Sequence, residues 1–99
     1  MISPSDISTV ASRVLAQYDV SVAYLFGSFA RGVQTPDSDI DLRLVCGNTM
    51  TFGTLYELSH ELERELGRKV DIVTNPPEHM RPAFRKSIEQ DKVRVYEAL

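Results

Sequence analysis

In residues 39–46, DIDLRLVC, charged and apolar side chains alternate from Asp39 to Leu44. Successive side chains of an extended strand point to opposite faces, so this segment has one apolar face and one polar face. The apolar face consists of Ile40, Leu42, Leu44 and Cys46. The other face consists of Asp39, Asp41, Arg43 and Val45 and is polar except for Val45. The pattern predicts a β-strand over 39–46 whose apolar face lies against a core.

Segments with helical spacing alternate with short strand-like segments along the chain. Ile7, Val10 and Val14 recur at helical spacing and predict a helix over 5–17, with Ser5 or Asp6 as its N-cap. The other predicted elements are a strand over 20–26, a short glycine-led helix after residue 27, the strand over 39–46, a helix over 53–66 that stops at Gly67, a strand in KVDIV (69–73), a helix over 82–90 and a last strand in VRVYEA (93–98). This order predicts an α/β (α+β) domain in which a single mixed sheet packs with helices.

Length, charge and cysteine content limit the class of protein. The chain has 99 residues, enough for one small domain over 1–99. No apolar stretch approaches the roughly 20 residues that span a bilayer, and the N-terminus lacks the pattern of a signal peptide, so we expect a cytoplasmic protein without membrane contact. A single cysteine, Cys46, excludes an internal disulfide and is expected to pack in the core. The net charge of −3 favours no nucleic-acid partner.

The leucines of the predicted helix over 53–66 are interpreted as core residues and not as a dimer seam. They are Leu55, Leu58, Leu62 and Leu66. His60 falls on the polar face of the same helix and His79 in a loop bounded by prolines. Neither histidine has a partner at the spacing of a metal site.

Asp39 and Asp41 form the first candidate for chemistry. Their carboxylates point the same way from the strand, about 7 Å apart. Like charges at this distance repel unless a cation lies between them, and Mg²⁺ prefers carboxylate oxygens together with water and phosphate. The alternative is an acidic strand end that is solvated by water, and this pair alone does not exclude it.

Gly27 and Ser28 form the second candidate, at the junction of a predicted strand and a short helix. Free backbone N–H groups at such a junction attract phosphate. Gly27 permits close approach and the Ser28 hydroxyl adds a donor. In the alternative interpretation Ser28 is only the N-cap of the helix.

Asp71 is the third candidate because it lies inside an apolar strand, between Val70 and Ile72. Burying a lone carboxylate is costly, so Asp71 needs a cation or several donors. If this strand neighbours residues 39–46, three carboxylates meet on one sheet. The alternative is an aspartate at an exposed edge that pairs with Lys69 or an arginine.

These motifs together resemble a known signature. Gly27-Ser28, followed after ten residues by Asp39-x-Asp41, is similar to the motif of nucleotidyltransferases with the DNA polymerase beta fold. The strings GSFARG, SDIDL and VDIV resemble those of minimal nucleotidyltransferases, the MNT family. The resemblance implies that Asp39, Asp41 and Asp71 are catalytic and bind two Mg²⁺ ions, while Gly27 and Ser28 hold the phosphates of ATP.

Two arginines fit this scheme less directly. Arg31 lies three residues after Ser28 on the same helix face, where it can contact a phosphate or pair with an acidic neighbour. Arg43 departs from the apolar residue that is usual after an SDIDL-like string. It shares a face with both aspartates and could pair with Asp71, but we favour a position in water at the far end of the strand.

The resemblance also suggests a partner. MNT proteins are commonly paired with HEPN-domain toxins, and this chain has no room for an acceptor-binding domain. We therefore expect a type VII-like antitoxin that transfers AMP to a hydroxyl, expected to be a tyrosine, of a HEPN toxin in a hetero-oligomer. The alternative is an antitoxin that acts by binding and occlusion without catalysis. A phosphatase with an aspartyl nucleophile is disfavoured, because it explains neither Gly27-Ser28 nor Asp71.

Overall fold

The computed structural model describes residues 2–74, 81–83, 86 and 92–98. In chain order the elements are α1 (Pro4–Leu15), β1 (Val20–Phe26), α2 (Ser28–Arg31), β2 (Ile40–Cys46), α3 (Phe52–Leu66), β3 (Val70–Val73) and β4 (Val93–Glu97). Residues 82, 83 and 86 are helical, and the rest of the predicted helix over 82–90 lies outside the described residues, as does His79. Within the described ranges no helix is long and apolar enough to cross a membrane.

One mixed sheet organises these elements, as predicted. Its described strands stand in the order β3-β2-β1-β4. Strand β1 is antiparallel to both β2 and β4, whereas β2 and β3 run parallel. The parallel pair is joined through α3, which is the usual way to connect parallel neighbours.

The core lies on one face of this sheet, between the strands and helices α1 and α3. Ile40, Leu42 and Leu44 of β2 have no exposed surface, so the alternation in the sequence identified the buried face correctly. Cys46 is half-buried and packs against this cluster, in agreement with its expected role. The opposite face of β2 carries Asp41 and Arg43, both half-buried.

The leucines of helix α3 are core residues, as predicted. Leu58, Leu62 and Leu66 are buried, and Leu55 packs against the same cluster from its edge. Gly67 ends the helix in the left-handed region at φ 69°, and its N–H donates to the carbonyl of Glu63. The sharp turn leads directly into β3, which places β3 beside β2.

Helix α1 starts earlier than the sequence predicted. Ser3, and neither Ser5 nor Asp6, is the N-cap: its hydroxyl accepts from the Asp6 N–H at 3.2 Å, and the Asp6 carboxylate accepts from the Ser3 N–H at 2.9 Å. The hydrogen bonds from Ser3 lower the pKa of Asp6. Pro4 fits the first helical position because its missing N–H has no acceptor there in any case.

We predict that S3A lowers the free energy of unfolding by about 1 kcal/mol, the usual effect of losing a capping side chain. S5A is the matched control, because Ser5 is exposed and is not the cap. We expect S5A to stay within about 0.5 kcal/mol of the wild type in urea unfolding. An equal loss in both variants would contradict the assignment of Ser3 as the cap.

Candidate active site

The site begins at the junction between β1 and α2. Gly27 ends the strand with φ 75° and ψ −153°, a region that is accessible essentially only to glycine. Gly27 is also the N-cap of α2, and Ser28 is its first helical residue. The interpretation of Ser28 as an N-cap is therefore wrong. Phe29, which is fully buried, fixes this short helix to the core and keeps Ser28 at the junction.

Asp41 lies directly beside this junction. In the sheet register its Cα is opposite Phe26 of β1 on one side and opposite Asp71 of β3 on the other. A Cβ atom on residue 27 would collide with the Oδ2 atom of Asp41. Glycine at 27 is thus required both by the backbone conformation and by the carboxylate that occupies the adjacent space.

Asp41 is half-buried and lies near two other carboxylates, which repel its negative charge. Burial, followed by the carboxylates of Asp71 and Asp39, raises the pKa of Asp41, and the Arg31 guanidinium partly opposes this rise. Each of these neighbours is therefore within electrostatic reach of Asp41. A site with this balance favours binding of a cation.

Asp39 and Asp71, the outer members of the group, face the same lysine. The Nζ atom of Lys69 lies 3.9 Å from Asp39 Oδ2 and 3.7 Å from Asp71 Oδ1. Both carboxylates are about half exposed. The parallel pairing of β2 and β3 confirms that the two strands are neighbours, and it brings the three predicted carboxylates to one end of the sheet.

The donor chemistry at this end of the sheet fits a hard divalent cation. Carboxylate oxygens with open access to water are the donors that Mg²⁺ prefers. In the ranges 2–74, 81–83, 86 and 92–98, however, no three His, Cys, Asp or Glu side chains converge closely enough to hold a metal as they stand. The Asp41 carboxylate is held against Gly27, whereas Asp39 and Asp71 turn toward Lys69. The ligands are present in an open arrangement.

Arg68 supports the site, and the sequence analysis did not identify it. Its Nη1 atom donates to the carbonyls of Thr35 (3.3 Å), Pro36 (2.7 Å) and Ser38 (3.2 Å). Its guanidinium carbon also lies 5.4 Å from the centre of the Phe29 ring. Arg68 thereby ties the loop that precedes Asp39 to both α2 and the start of β3. The sequence feature that could have identified Arg68 is its position directly after Gly67, between the end of α3 and the start of β3.

The side chain of Arg43 is not placed in water as we favoured from the sequence. Its Nε atom is buried and finds no hydrogen-bond partner among the described residues, so the side chain does not simply extend into water. It stands opposite Tyr24 on one side and Val73 on the other, two positions along the strand from Asp41. No ion pair joins it to Asp71 in the described part of the chain.

His60 remains outside the site, as expected. It is exposed, lies 3.5 Å from Glu63, and packs edge-on against Tyr56 with ring centres 4.2 Å apart.

Comparison with protein families gives one extensive match. Residues 10–98 match the family described as polymerase beta, nucleotidyltransferase. A candidate protein adenylyltransferase of Methanocaldococcus jannaschii is 43% identical over 81 residues, covering 80% of each chain. The protein adenylyltransferase MntA of Shewanella oneidensis is 35% identical over 54 residues, which cover 54% of this chain and 39% of MntA.

Solved structures share the fold. The crystal structure of a toxin–antitoxin with AMP-PNP matches with a TM-score of 0.73 at 22% identity, covering 92% of this chain and 73% of that one. A candidate minimal nucleotidyltransferase matches with a TM-score of 0.64 at 26% identity, covering 91% of this chain and 86% of the other. An MNT antitoxin in complex with a tri-AMPylated Shewanella oneidensis HEPN toxin gives a TM-score of 0.68 at 18% identity, over 96% and 73% of the two chains.

We predict that G27A is more destabilising than G32A. Both glycines have positive φ, 75° and 71°, but a Cβ at Gly32 meets nothing within 4 Å. G32A should therefore cost only the backbone strain, about 1–2 kcal/mol. G27A adds the collision with Asp41, and its cost in urea unfolding should fall when Asp41 is also replaced by alanine. An equal cost of G27A with and without D41A would contradict the close contact.

We predict that R68M loosens the loop before Asp39. Amide hydrogen exchange of residues 35–39 should become faster, and the free energy of unfolding should fall by about 1–2 kcal/mol as charged hydrogen bonds are lost. R64M, which removes an exposed arginine of α3, is the control and should leave exchange in this loop unchanged. Unchanged exchange in R68M would show that the loop is held by other contacts.

Proposed function

The chain belongs to the polymerase beta nucleotidyltransferase family, and we propose that it transfers AMP from ATP to a hydroxyl group of a partner protein. The observation that carries this proposal is the row formed by Gly27, Asp41 and Asp71. The backbone of Gly27 is suited to phosphate, and the Asp41 carboxylate lies against it. The Asp71 carboxylate of the neighbouring strand β3 lies at the same end of the sheet. The relatives named protein adenylyltransferases support AMP as the transferred group.

The proposal gives each of these side chains a role. Asp39, Asp41 and Asp71 would hold Mg²⁺, which when bound neutralises phosphate charge and stabilises the entering and leaving oxygens. Gly27 lets the β- and γ-phosphates approach the backbone of the β1–α2 junction, where Ser28 adds its hydroxyl as a donor. Arg31, whose charge already acts on Asp41, is placed to balance the negative charge of the phosphates.

The acceptor hydroxyl would approach from the side of Asp71. This carboxylate is about half exposed at β3, the edge strand of the described sheet, and is farther from the β1–α2 junction than Asp41. The acceptor oxygen would attack the α-phosphorus, the bond to the bridging oxygen would break, and pyrophosphate would leave. The proton of the acceptor hydroxyl would pass to a carboxylate oxygen of Asp71 or to water beside it.

We further propose that the acceptor belongs to a HEPN-domain protein and is a tyrosine. One solved structure of similar fold holds a tri-AMPylated HEPN toxin. Another, of a toxin–antitoxin, holds AMP-PNP. These likenesses support a hetero-oligomer in which the partner supplies the acceptor. If the chain instead neutralises a toxin by occlusion, neutralisation will not depend on the carboxylates.

We predict that D41N abolishes AMP transfer. The wild-type chain, incubated with ATP, Mg²⁺ and a HEPN-domain protein as the proposed partner, should raise the intact mass of that protein by one AMP per modified hydroxyl. D41N should slow this reaction by about 100-fold or more, as expected for the loss of several kcal/mol of transition-state stabilisation. D37N is the matched control, because Asp37 is an exposed aspartate in the loop that precedes β2.

Two outcomes would count against the proposal. No mass increase with wild-type protein, although the partner binds, would leave occlusion as the function. Equal loss of transfer in D37N and D41N would show that general charge near the site, and not the Asp41 carboxylate, is what matters. Co-purification of D41N with the partner verifies that the variant still folds and binds.

A further inference from the structure

Lys69 lies where a cation is most needed in the carboxylate group. Its ammonium is 3.9 Å from Asp39 Oδ2 and 3.7 Å from Asp71 Oδ1, and its side chain is 66% exposed. The sheet explains this position. The N–H of Ile40 donates to the carbonyl of Lys69 at 2.9 Å, and Val70 stands opposite Ile40. Lys69 is therefore beside Asp39 and, two residues before Asp71, on the same face as Asp71.

The two distances from the Lys69 ammonium indicate that it neutralises the carboxylates without forming hydrogen bonds to them. Both exceed the usual length of an N–H···O hydrogen bond, so the ammonium is shared between two carboxylates without being fixed by either. Exposed ion pairs of this kind contribute little to folding stability. Removing the lysine should consequently change the electrostatics of the site far more than the stability of the fold.

The same contact accounts for the open arrangement of the ligands. Asp39 and Asp71 turn toward Lys69, and in the described part of the chain no three acidic side chains converge as a metal site requires. A divalent cation bound by both of these carboxylates would stand next to a positive charge. It would have to displace the ammonium, which the flexible and exposed lysine side chain permits.

We propose that Lys69 is a resident counter-ion of the Asp39–Asp71 pair that a divalent cation must displace. This inference rests on the proposed function, since it assumes that these carboxylates bind Mg²⁺. Lys69 neutralises the pair before the metal arrives and thereby weakens the intrinsic affinity of the site for divalent cations. The phosphates of a bound nucleotide can pair with the displaced Lys69 ammonium. Full occupancy of the metal site is therefore favoured only when the nucleotide is present.

The test is Mn²⁺ binding to the full chain without nucleotide, measured by electron paramagnetic resonance of the free ion. K69M should bind Mn²⁺ about three- to tenfold more tightly than the wild type at low salt, and the difference should shrink as salt is added. K69R keeps the charge and should behave like the wild type. K69Q, which removes the charge but keeps a polar side chain, should behave like K69M.

R13M is the matched control for net charge. Arg13 also forms an exposed ion pair, at 2.6 Å from Glu65, and its side chain is 61% exposed. It lies on α1, a helix that packs on the core face of the sheet, whereas Lys69 stands with the carboxylates at one end of that sheet. We expect R13M to bind Mn²⁺ as the wild type does.

The outcomes separate this inference from the proposed function. If wild-type protein binds Mn²⁺, D41N does not, and K69M binds no more tightly than the wild type, the counter-ion role is overturned and the metal site stands. Weaker binding by K69M would equally overturn it, since Lys69 would then be positioning the ligands. If neither wild type nor K69M binds Mn²⁺ without nucleotide, the counter-ion inference is overturned, whereas the proposed function is decided by AMP transfer in the presence of ATP and Mg²⁺. Equal tightening in R13M would show an effect of net charge alone.

Discussion

The contact between the Asp41 carboxylate and the backbone of Gly27 is the constraint on which the site depends. It requires a glycine at the end of β1, because a Cβ there would collide with Asp41 and because the backbone has φ 75°. The same register sets Asp41 opposite Asp71, so one residue links the β1–α2 junction to the edge strand β3. Burial, and after it the neighbouring carboxylates of Asp71 and Asp39, raise the pKa of Asp41. The half-buried carboxylates are suited to cations. The glycine turn beside them is suited to phosphate.

Much of the fold could be predicted from the sequence because each pattern reports a local physical requirement. The alternation in DIDLRLVC identified the buried face of β2, and Gly67 marked the end of α3. Asp71 was informative because a charged residue inside an apolar strand needs a partner. The predicted N-cap of α1, Ser5 or Asp6, lies two or three residues after the actual cap Ser3, because all three residues can cap a helix and only the backbone geometry decides between them.

The residues whose surroundings the sequence did not predict are long cations. Lys69 entered the sequence analysis only as a partner in the less favoured interpretation of Asp71, yet it contacts two carboxylates of the site. Arg68 bonds carbonyls some thirty residues earlier in the chain, which no local pattern encodes. Arg43 was expected in water, but its Nε atom is buried. Flexible side chains of this length find their partners through strand pairing, so their roles emerge only once the parallel register of β2 and β3 is known.

The central claim is that the α-phosphate of ATP, with its nucleoside, is what the chain transfers. The most direct measurement incubates wild-type protein, Mg²⁺ and the proposed HEPN-domain partner with ATP that is radioactively labelled in either the α- or the γ-phosphate. Transfer of AMP predicts that the partner becomes labelled from α-labelled ATP, that it stays unlabelled with γ-labelled ATP, and that labelled pyrophosphate is released in the second case. Label that reaches the partner only from the γ-phosphate, or from neither, would contradict the account.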